Sequence, residues 1–100
     1  MKYNKLVRDN ILEIIKKKGG EPSFHIAGEK EYWLKLKEKL IEEWVEFLES
    51  ESEEEMADIL EILEAICKYK NFNKQKIADL KNKKASERGQ FISRIILEES

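Results

Sequence analysis

Two long helical patterns separated by only three residues constrain this chain more than any other feature. Apolar residues recur at the helical period over roughly residues 30–49 and again over roughly residues 53–70. Only residues 50–52 lie between the two segments, and helices joined by so short a loop pack side by side in opposite directions. The spacing therefore predicts an antiparallel helix hairpin in the middle of the chain.

Shorter helical segments flank the predicted hairpin. The first runs over roughly residues 10–18, with Asp9 as its N-cap. The last runs over roughly residues 74–86, with Asn73 as its N-cap, and Ser52 is placed to cap the second helix of the hairpin. Four helices in one short chain indicate an all-α fold.

A β-branched cluster follows the last predicted helix. Residues 91–97 contain three isoleucines, and residues 24–26 are the one segment suited to pair with them as a short two-stranded element. No linker interrupts the chain, and 100 residues is the size of one small domain. We therefore expect residues 1–100 to form a single helical domain, with the strand pair as an optional addition.

Charge and composition restrict the partners. The net charge is −2 with 40% charged residues, whereas a protein that coats nucleic acid usually carries a strong basic excess. No apolar run reaches the roughly 18 residues that a membrane-spanning helix needs, and no leader pattern follows Lys2. Cys67 is the single cysteine, which suits a reducing compartment. These features predict a cytoplasmic protein with neither a nucleic acid nor a membrane as partner.

The hairpin carries more apolar surface than it can cover by itself. Both long segments have broad apolar arcs, and Trp33 and Trp44 enlarge the first of them. Two hairpins that pack together as a four-helix bundle would bury this surface. The sequence therefore predicts a homodimer or a larger assembly.

Carboxylates interrupt the apolar arcs near the loop. Glu43 and Glu46 lie at the edge of the first arc, Glu55 lies inside the second, and Asp58 lies just past its edge. A carboxylate on an apolar face is costly unless something pairs with it. The hairpin would stack these two rows side by side, and ligands that are all carboxylate oxygens suit Mg²⁺ or Mn²⁺.

Glu55, and two basic residues at the end of the last predicted helix, also have simpler structural explanations. Ser52 followed by Glu55 matches a capping box, in which the glutamate bonds back to the serine amide. Lys84 and Arg88 lie at the end of the last helix, where basic side chains complement the helix dipole or meet phosphate groups. The residues alone leave both alternatives open.

The ordered set of motifs resembles a known superfamily. Glu42-Glu43-x-x-Glu46 followed by Glu55-x-x-Asp58 resembles the signature of the MazG-like all-α nucleoside triphosphate pyrophosphohydrolases. Three further segments are similar to its small, single-domain, phosphoribosyl-ATP pyrophosphohydrolase-like branch: Lys5-Leu6-Val7-Arg8-Asp9, Ala57-Asp58-Ile59-Leu60-Glu61, and Lys84 with Glu87-Arg88-Gly89 through Phe91. The resemblance extends over nearly the whole chain.

The resemblance implies a function and a site. The family splits a nucleoside triphosphate into a monophosphate and pyrophosphate at a Mg²⁺-dependent site, and its members commonly form dimers or dimers of dimers. The implied metal ligands are Glu43, Glu46, Glu55 and Asp58, with Glu46 as the candidate for orienting the attacking water. The implied substrate contacts are Lys84 and Arg88, with Lys5 and Arg8 near the site.

A second function is compatible with the same pattern. A helical dimer that binds a nucleotide or a metal without hydrolysis, as a regulatory module, would retain the acidic residues of the hairpin. Pyrophosphate release from a panel of nucleoside triphosphates, measured with and without Mg²⁺, separates this non-catalytic alternative from the enzyme.

Overall fold

The computed structural model describes residues 4–100, and its regular structure consists of α-helices. The four helices in that range are α1 (Ile11–Lys17), α2 (Glu29–Ser50), α3 (Glu53–Lys70) and α4 (Lys74–Arg88). The all-α prediction is confirmed. None of these four helices is long and apolar enough to cross a membrane.

The optional strand pair does not form. Residues 24–26 and 91–97 carry no strand structure, and the large apolar side chains in both segments are more than half exposed. A two-stranded pair without a third strand or a covering helix is marginally stable in water. The β-branched composition of residues 91–97 therefore does not suffice to make a strand in this chain.

Local side-chain bonds set the helix starts that the sequence predicted. Ser52 Oγ accepts a hydrogen bond from the Glu55 amide at 3.2 Å, and Asn73 Oδ1 accepts one from the Lys76 amide at 3.0 Å. Asp9 is not the cap of α1, because Asn10 occupies that position and makes no side-chain cap bond. Two of the three predicted N-caps are therefore confirmed.

Helices α2 and α3 form the antiparallel hairpin, and they are the one pair of helices in residues 4–100 that packs extensively. Leu36 of α2 and Ile59 of α3 are the buried apolar side chains of their shared seam. At the open end of the hairpin, Trp33 stacks on Tyr69 with ring centroids 5.3 Å apart. A narrow apolar seam and an aromatic pair thus hold the two helices together.

The two long faces of the hairpin differ in character. On one face, which we call the apolar face, large apolar side chains are exposed on both helices: Trp44, Leu48, Met56, Leu60 and Leu63. Helical rotation from the seam places Glu46 of α2 and Asp58 of α3 on the opposite side, which we call the carboxylate face. The hairpin is therefore two-sided, and a functional site on one face leaves the other free for packing.

The N-terminal segment lies over the carboxylate face. Lys5 Nζ is 3.1 Å from Glu42 Oε1, and Arg8 Nη2 is 2.7 Å from Asp58 Oδ1. These two ion pairs connect the segment before α1 to both helices of the hairpin. They leave the apolar face open.

Candidate metal centre

Three carboxylates converge at the loop end of the hairpin. Glu43, Glu55 and Asp58 each place one carboxylate oxygen within 4.8 Å of those of the other two. Glu43 lies seven residues after the buried Leu36, and Glu55 lies four residues before the buried Ile59. Since these spacings are close to whole helical turns, the same seam that buries the apolar residues brings the carboxylates together.

Two oxygens of this cluster are buried without a hydrogen-bond donor. Glu43 is only 6% exposed, and its Oε2 accepts no hydrogen bond from residues 4–100. Oε2 of Glu55 is in the same situation. A buried carboxylate oxygen is costly to leave unpaired, so such oxygens normally face a donor, a proton or a cation. The two orphaned oxygens fit a metal ion that both helices share.

The electrostatics of the cluster show repulsion between neighbouring carboxylates. Contact with the carboxyl group of Glu43 is the largest cause that raises the pKa of Glu55, to about 7. Burial and the charges of Glu46, Glu43 and Asp58 raise the pKa of Glu55 further. Glu55 therefore binds a proton near neutral pH, and this proton reduces the repulsion among the carboxylates. A divalent cation would reduce that repulsion more completely.

The capping-box explanation of Glu55 does not hold in this structure. Ser52 Oγ accepts the Glu55 amide, which is the first half of such a box. The second half would be a bond from the Ser52 amide to the Glu55 carboxylate, and that bond is not formed between these two described residues. The Glu55 carboxylate points instead to Glu43, so the Glu55 amide donates to the N-cap Ser52 while the Glu55 side chain joins the cluster.

Glu46 flanks the cluster without joining its tightest group. The charge of Glu43 is the largest cause that raises the pKa of Glu46, followed by burial and the charge of Glu42. Glu46 therefore lies close enough to Glu43 to feel it strongly. Of the four sequence-predicted ligands, three converge and the fourth stands beside them on α2.

Cationic side chains of the chain itself surround the carboxylates. Lys39 Nζ lies 3.2 Å from Glu43 Oε1 and 3.7 Å from Glu42 Oε2. Arg8 pairs with Asp58, as described above. Lys39 was not among the predicted site residues, although its position four residues before Glu43 is the helical spacing of an ion pair. Of the two N-terminal cations that the resemblance implied, Arg8 contacts the cluster member Asp58, and Lys5 pairs with Glu42, outside the group of three.

Lys84 and Arg88 are not brought to this cluster within one chain. Both lie on α4, whose residues are exposed except for Ala85. Neither side chain forms an ion pair or a hydrogen bond with any residue from 4 to 100, whereas the neighbouring Lys83 approaches Glu87 at 3.9 Å. Their predicted role as substrate contacts stays a prediction.

Comparisons of this chain with protein-family models, with curated proteins and with solved structures each found no match. The site is therefore defined by its chemistry. It consists of three converging carboxylates, two buried oxygens without donors, a flanking fourth carboxylate and a rim of Lys5, Arg8 and Lys39.

Proposed function

We propose that this chain is a Mg²⁺-dependent nucleotide pyrophosphohydrolase of the MazG-like, all-α kind. The observation that carries the proposal is that Glu43 and Glu55, from neighbouring helices of one carboxylate cluster, each have a buried Oε2 without a hydrogen-bond donor. All the converging ligands are carboxylate oxygens, which favour a hard divalent ion over zinc. The motif order of the sequence supports the same family.

Glu43, Glu55 and Asp58 are the residues that would hold the ion. A bound Mg²⁺ or Mn²⁺ supplies charge neutralisation to a polyphosphate and lowers the pKa of a coordinated water. The half-exposed side of the cluster faces solvent, since Glu55 and Asp58 are less buried than Glu43. A triphosphate could therefore reach it from the carboxylate face.

Glu46 is the side chain best placed to handle a proton. It lies outside the tight group of three and beside Glu43, where its carboxylate could accept a hydrogen bond from a water at the edge of the cluster. Its raised pKa makes it a better proton acceptor than an ordinary surface glutamate, since the strength of a base follows its pKa. We assign Glu46 to orienting the attacking water.

The basic residues of the carboxylate face complement the phosphates of the substrate. Arg8 has a planar guanidinium that suits bidentate phosphate binding, and Lys5 lies on the same face. In-line cleavage releases pyrophosphate, and cations near the leaving group lower the cost of its charge. Lys84 and Arg88 would add to this set.

The apolar face supports assembly into a homodimer. Leu48 and Leu60 are each 59% exposed, and Trp44 is 50% exposed. Contiguous exposed side chains of this kind mark an interaction surface. Two hairpins that pack apolar face to apolar face form the four-helix bundle, and the carboxylate faces, each with its N-terminal segment, lie on the outside.

A direct assay tests the enzyme against the non-catalytic alternative. The purified protein is incubated with canonical and damaged nucleoside triphosphates, with Mg²⁺ or with EDTA, and pyrophosphate is measured. We expect Mg²⁺-dependent release that Glu43→Gln abolishes while the exposed control Glu49→Gln retains it. Nucleotide that binds with Mg²⁺ and is recovered intact from every member of the panel would instead support the regulatory module.

A further inference from the structure

A cavity lies between the N-terminal segment and the middle of α2. Its volume is about 330 Å³, which is within the range of roughly 300–1,000 Å³ that small-molecule sites occupy. Lys5, Lys35 and Lys39 line the cavity together with Glu38 and Glu42. Three lysines against two glutamates give this lining a net positive charge. A recess of this kind is suited to an anionic ligand.

Lys39 connects the cavity to the carboxylate cluster. Its Nζ lies 3.2 Å from Oε1 of the cluster member Glu43 and 3.7 Å from Oε2 of Glu42 in the wall of the cavity. The Lys39 side chain is only 21% exposed, whereas lysine side chains are mostly exposed in folded proteins. Because one ammonium group contacts both places, a ligand that extends from the cluster into the cavity passes Lys39.

The Glu42 carboxylate bridges two of the lysines. Its Oε1 accepts a hydrogen bond from Lys5 Nζ at 3.1 Å, and its Oε2 faces Lys39 Nζ at 3.7 Å. Each carboxylate oxygen therefore faces a different ammonium group. Carboxylate and phosphate groups bind the same cationic side chains through their oxygens. Glu42 thus occupies a position that a phosphate group of a ligand would also fit.

The contacts of Glu42 are weak enough for a phosphate group to replace them. The 3.7 Å separation from Lys39 is longer than a hydrogen bond. Lys5 is about half exposed, so water and salt screen its ion pair with Glu42. A terminal phosphate group offers three acceptor oxygens and more negative charge than a carboxylate does. Phosphate should therefore compete with Glu42 for the two lysines.

We propose that the Glu42 carboxylate occupies a phosphate subsite, and that a phosphate group of the bound nucleotide displaces it from Lys39 and Lys5. In the chain without ligand, Glu42 keeps both ammonium groups paired inside the cavity. In the nucleotide complex, Lys39 contacts phosphate and Glu42 turns away from it. This inference rests on the proposed function for the nucleotide, whereas the binding of phosphate itself rests on the lysines that line the cavity.

Binding of inorganic pyrophosphate tests the displacement without turnover. Isothermal titration in metal-free buffer compares wild type with Glu42→Gln and Lys39→Gln. Glu42→Gln removes the competing charge, so pyrophosphate should bind about three- to tenfold more tightly. Lys39→Gln removes a cationic contact and should weaken binding about tenfold or more. Lys39→Arg keeps the positive charge and should retain the affinity, which separates a lost contact from a loss of folding.

Two substitutions elsewhere on α2 serve as matched controls. Glu49→Gln removes the same charge as Glu42→Gln from an exposed position seven residues, or about two helical turns, further along. Lys37→Gln removes the same charge as Lys39→Gln, and the Lys37 ammonium lies over the Trp33 ring at 5.3 Å. Both controls should bind pyrophosphate as wild type does.

The double variant Lys39→Gln/Glu42→Gln separates displacement from a general effect of charge. If Glu42 competes with phosphate for Lys39, Glu42→Gln should raise the affinity less once Lys39 has been replaced. An equal rise in both backgrounds would overturn the proposal. So would an unchanged or lower affinity in Glu42→Gln, which is the result expected if Glu42 only holds the N-terminal segment in place.

Turnover measurements keep this inference apart from the proposed function. With Mg²⁺ and a nucleoside triphosphate, Glu42→Gln should lower KM and Lys39→Gln should raise it. A wild-type protein that releases no pyrophosphate defeats the proposed function, and the phosphate subsite is then judged by the titrations alone. An active wild-type protein whose pyrophosphate affinity is unaffected by Glu42→Gln defeats only the displacement.

Discussion

Arg8 Nη2 lies 2.7 Å from Asp58 Oδ1, so a side chain that precedes the first helix neutralises a member of the carboxylate cluster fifty positions later. Lys39 does the same for Glu43 from within α2. The chain therefore supplies its own positive charge to the site. A divalent ion that binds there has to compete with two cations of the protein.

Lys39 should have opposite effects on stability and on metal binding. Lys39→Gln removes a charge-assisted contact to a buried carboxylate, so we expect a loss of about 1–3 kcal/mol of unfolding free energy in EDTA. Mg²⁺ should bind more tightly to the same variant, because the competing ammonium is gone. Urea unfolding in EDTA and a Mg²⁺ titration measure the two effects. Lys35→Gln, whose partner Glu38 is exposed, is the matched control. Weaker Mg²⁺ binding by Lys39→Gln would contradict this account.

Without a bound metal ion, the charge of Glu55 should destabilise the folded protein. Glu55→Gln removes one of several crowded charges and keeps the side-chain shape, so we expect an equal or higher Tm in EDTA. The variant should lose most of the Mg²⁺-induced stabilisation, which in wild type follows RT ln(1 + [L]/Kd) and reaches about 2.7 kcal/mol at a hundredfold excess over Kd. Activity should fall steeply. Glu54→Gln changes the same charge at an exposed position of the same turn. A wild-type Mg²⁺ response in Glu55→Gln would defeat the metal assignment.

The raised pKa of Glu55 predicts how stability depends on pH. The pKa is about 7 in the folded chain against an ordinary value of 4.5, so between these pH values the folded state holds a proton that the unfolded state has lost. This contribution to stability is complete below pH 4.5 and is lost as the pH rises through about 7. In EDTA, unfolding free energy should therefore fall between about pH 4.5 and pH 7 and level off above that, and Glu55→Gln should flatten the fall. An unchanged slope in Glu55→Gln would refute the prediction.

The affinity for Mg²⁺ should change with pH in the direction opposite to the stability in EDTA. Mg²⁺ competes with the proton on Glu55, so the apparent Mg²⁺ affinity should rise as the pH increases through about 7. Isothermal titration at several pH values measures this dependence. A Mg²⁺ affinity that does not change with pH would show that the titrating carboxyl is not a ligand.

Lys84 and Arg88 should matter for turnover and not for metal binding. A charge-assisted phosphate contact contributes about 1.5–3 kcal/mol, so Lys84→Ala or Arg88→Ala should lower kcat/KM by about one to two orders of magnitude. Mg²⁺ binding without nucleotide should stay as in wild type. Lys81→Ala removes a comparable charge from the same exposed helix and should leave kcat/KM near the wild-type value. Unchanged kcat/KM in both site variants would assign these residues to the end of α4 instead.

The apolar face should control assembly. Leu60→Asp places a charge where the proposed bundle is dry, so we expect light scattering to show a shift from dimer or larger to an 11.9 kDa monomer of reduced stability. Ile26→Asp changes an exposed apolar side chain in the loop before α2 and should leave the assembly intact. A wild-type protein that scatters as a single 11.9 kDa species would rule out the bundle.

Local features of the fold could be predicted from the sequence alone. The helical period and the three-residue loop predicted α2, α3 and their antiparallel packing, and short polar side chains predicted the caps at Ser52 and Asn73. These signals depend on residues a few positions apart, so they survive without knowledge of the tertiary structure. The carboxylates that interrupt the apolar arcs could be identified in the sequence for the same reason.

The tertiary structure decided which of those features meet. It set the rotation of α2 against α3, which brings Glu43 into contact with Glu55 and leaves Glu46 at the side. It also placed Arg8 on Asp58, resolved the two explanations of Glu55, and left residues 91–97 without a strand partner. Such contacts join residues far apart in the chain, and their free energy depends on how whole helices pack. The spacing of apolar residues along one helix therefore does not predict these contacts.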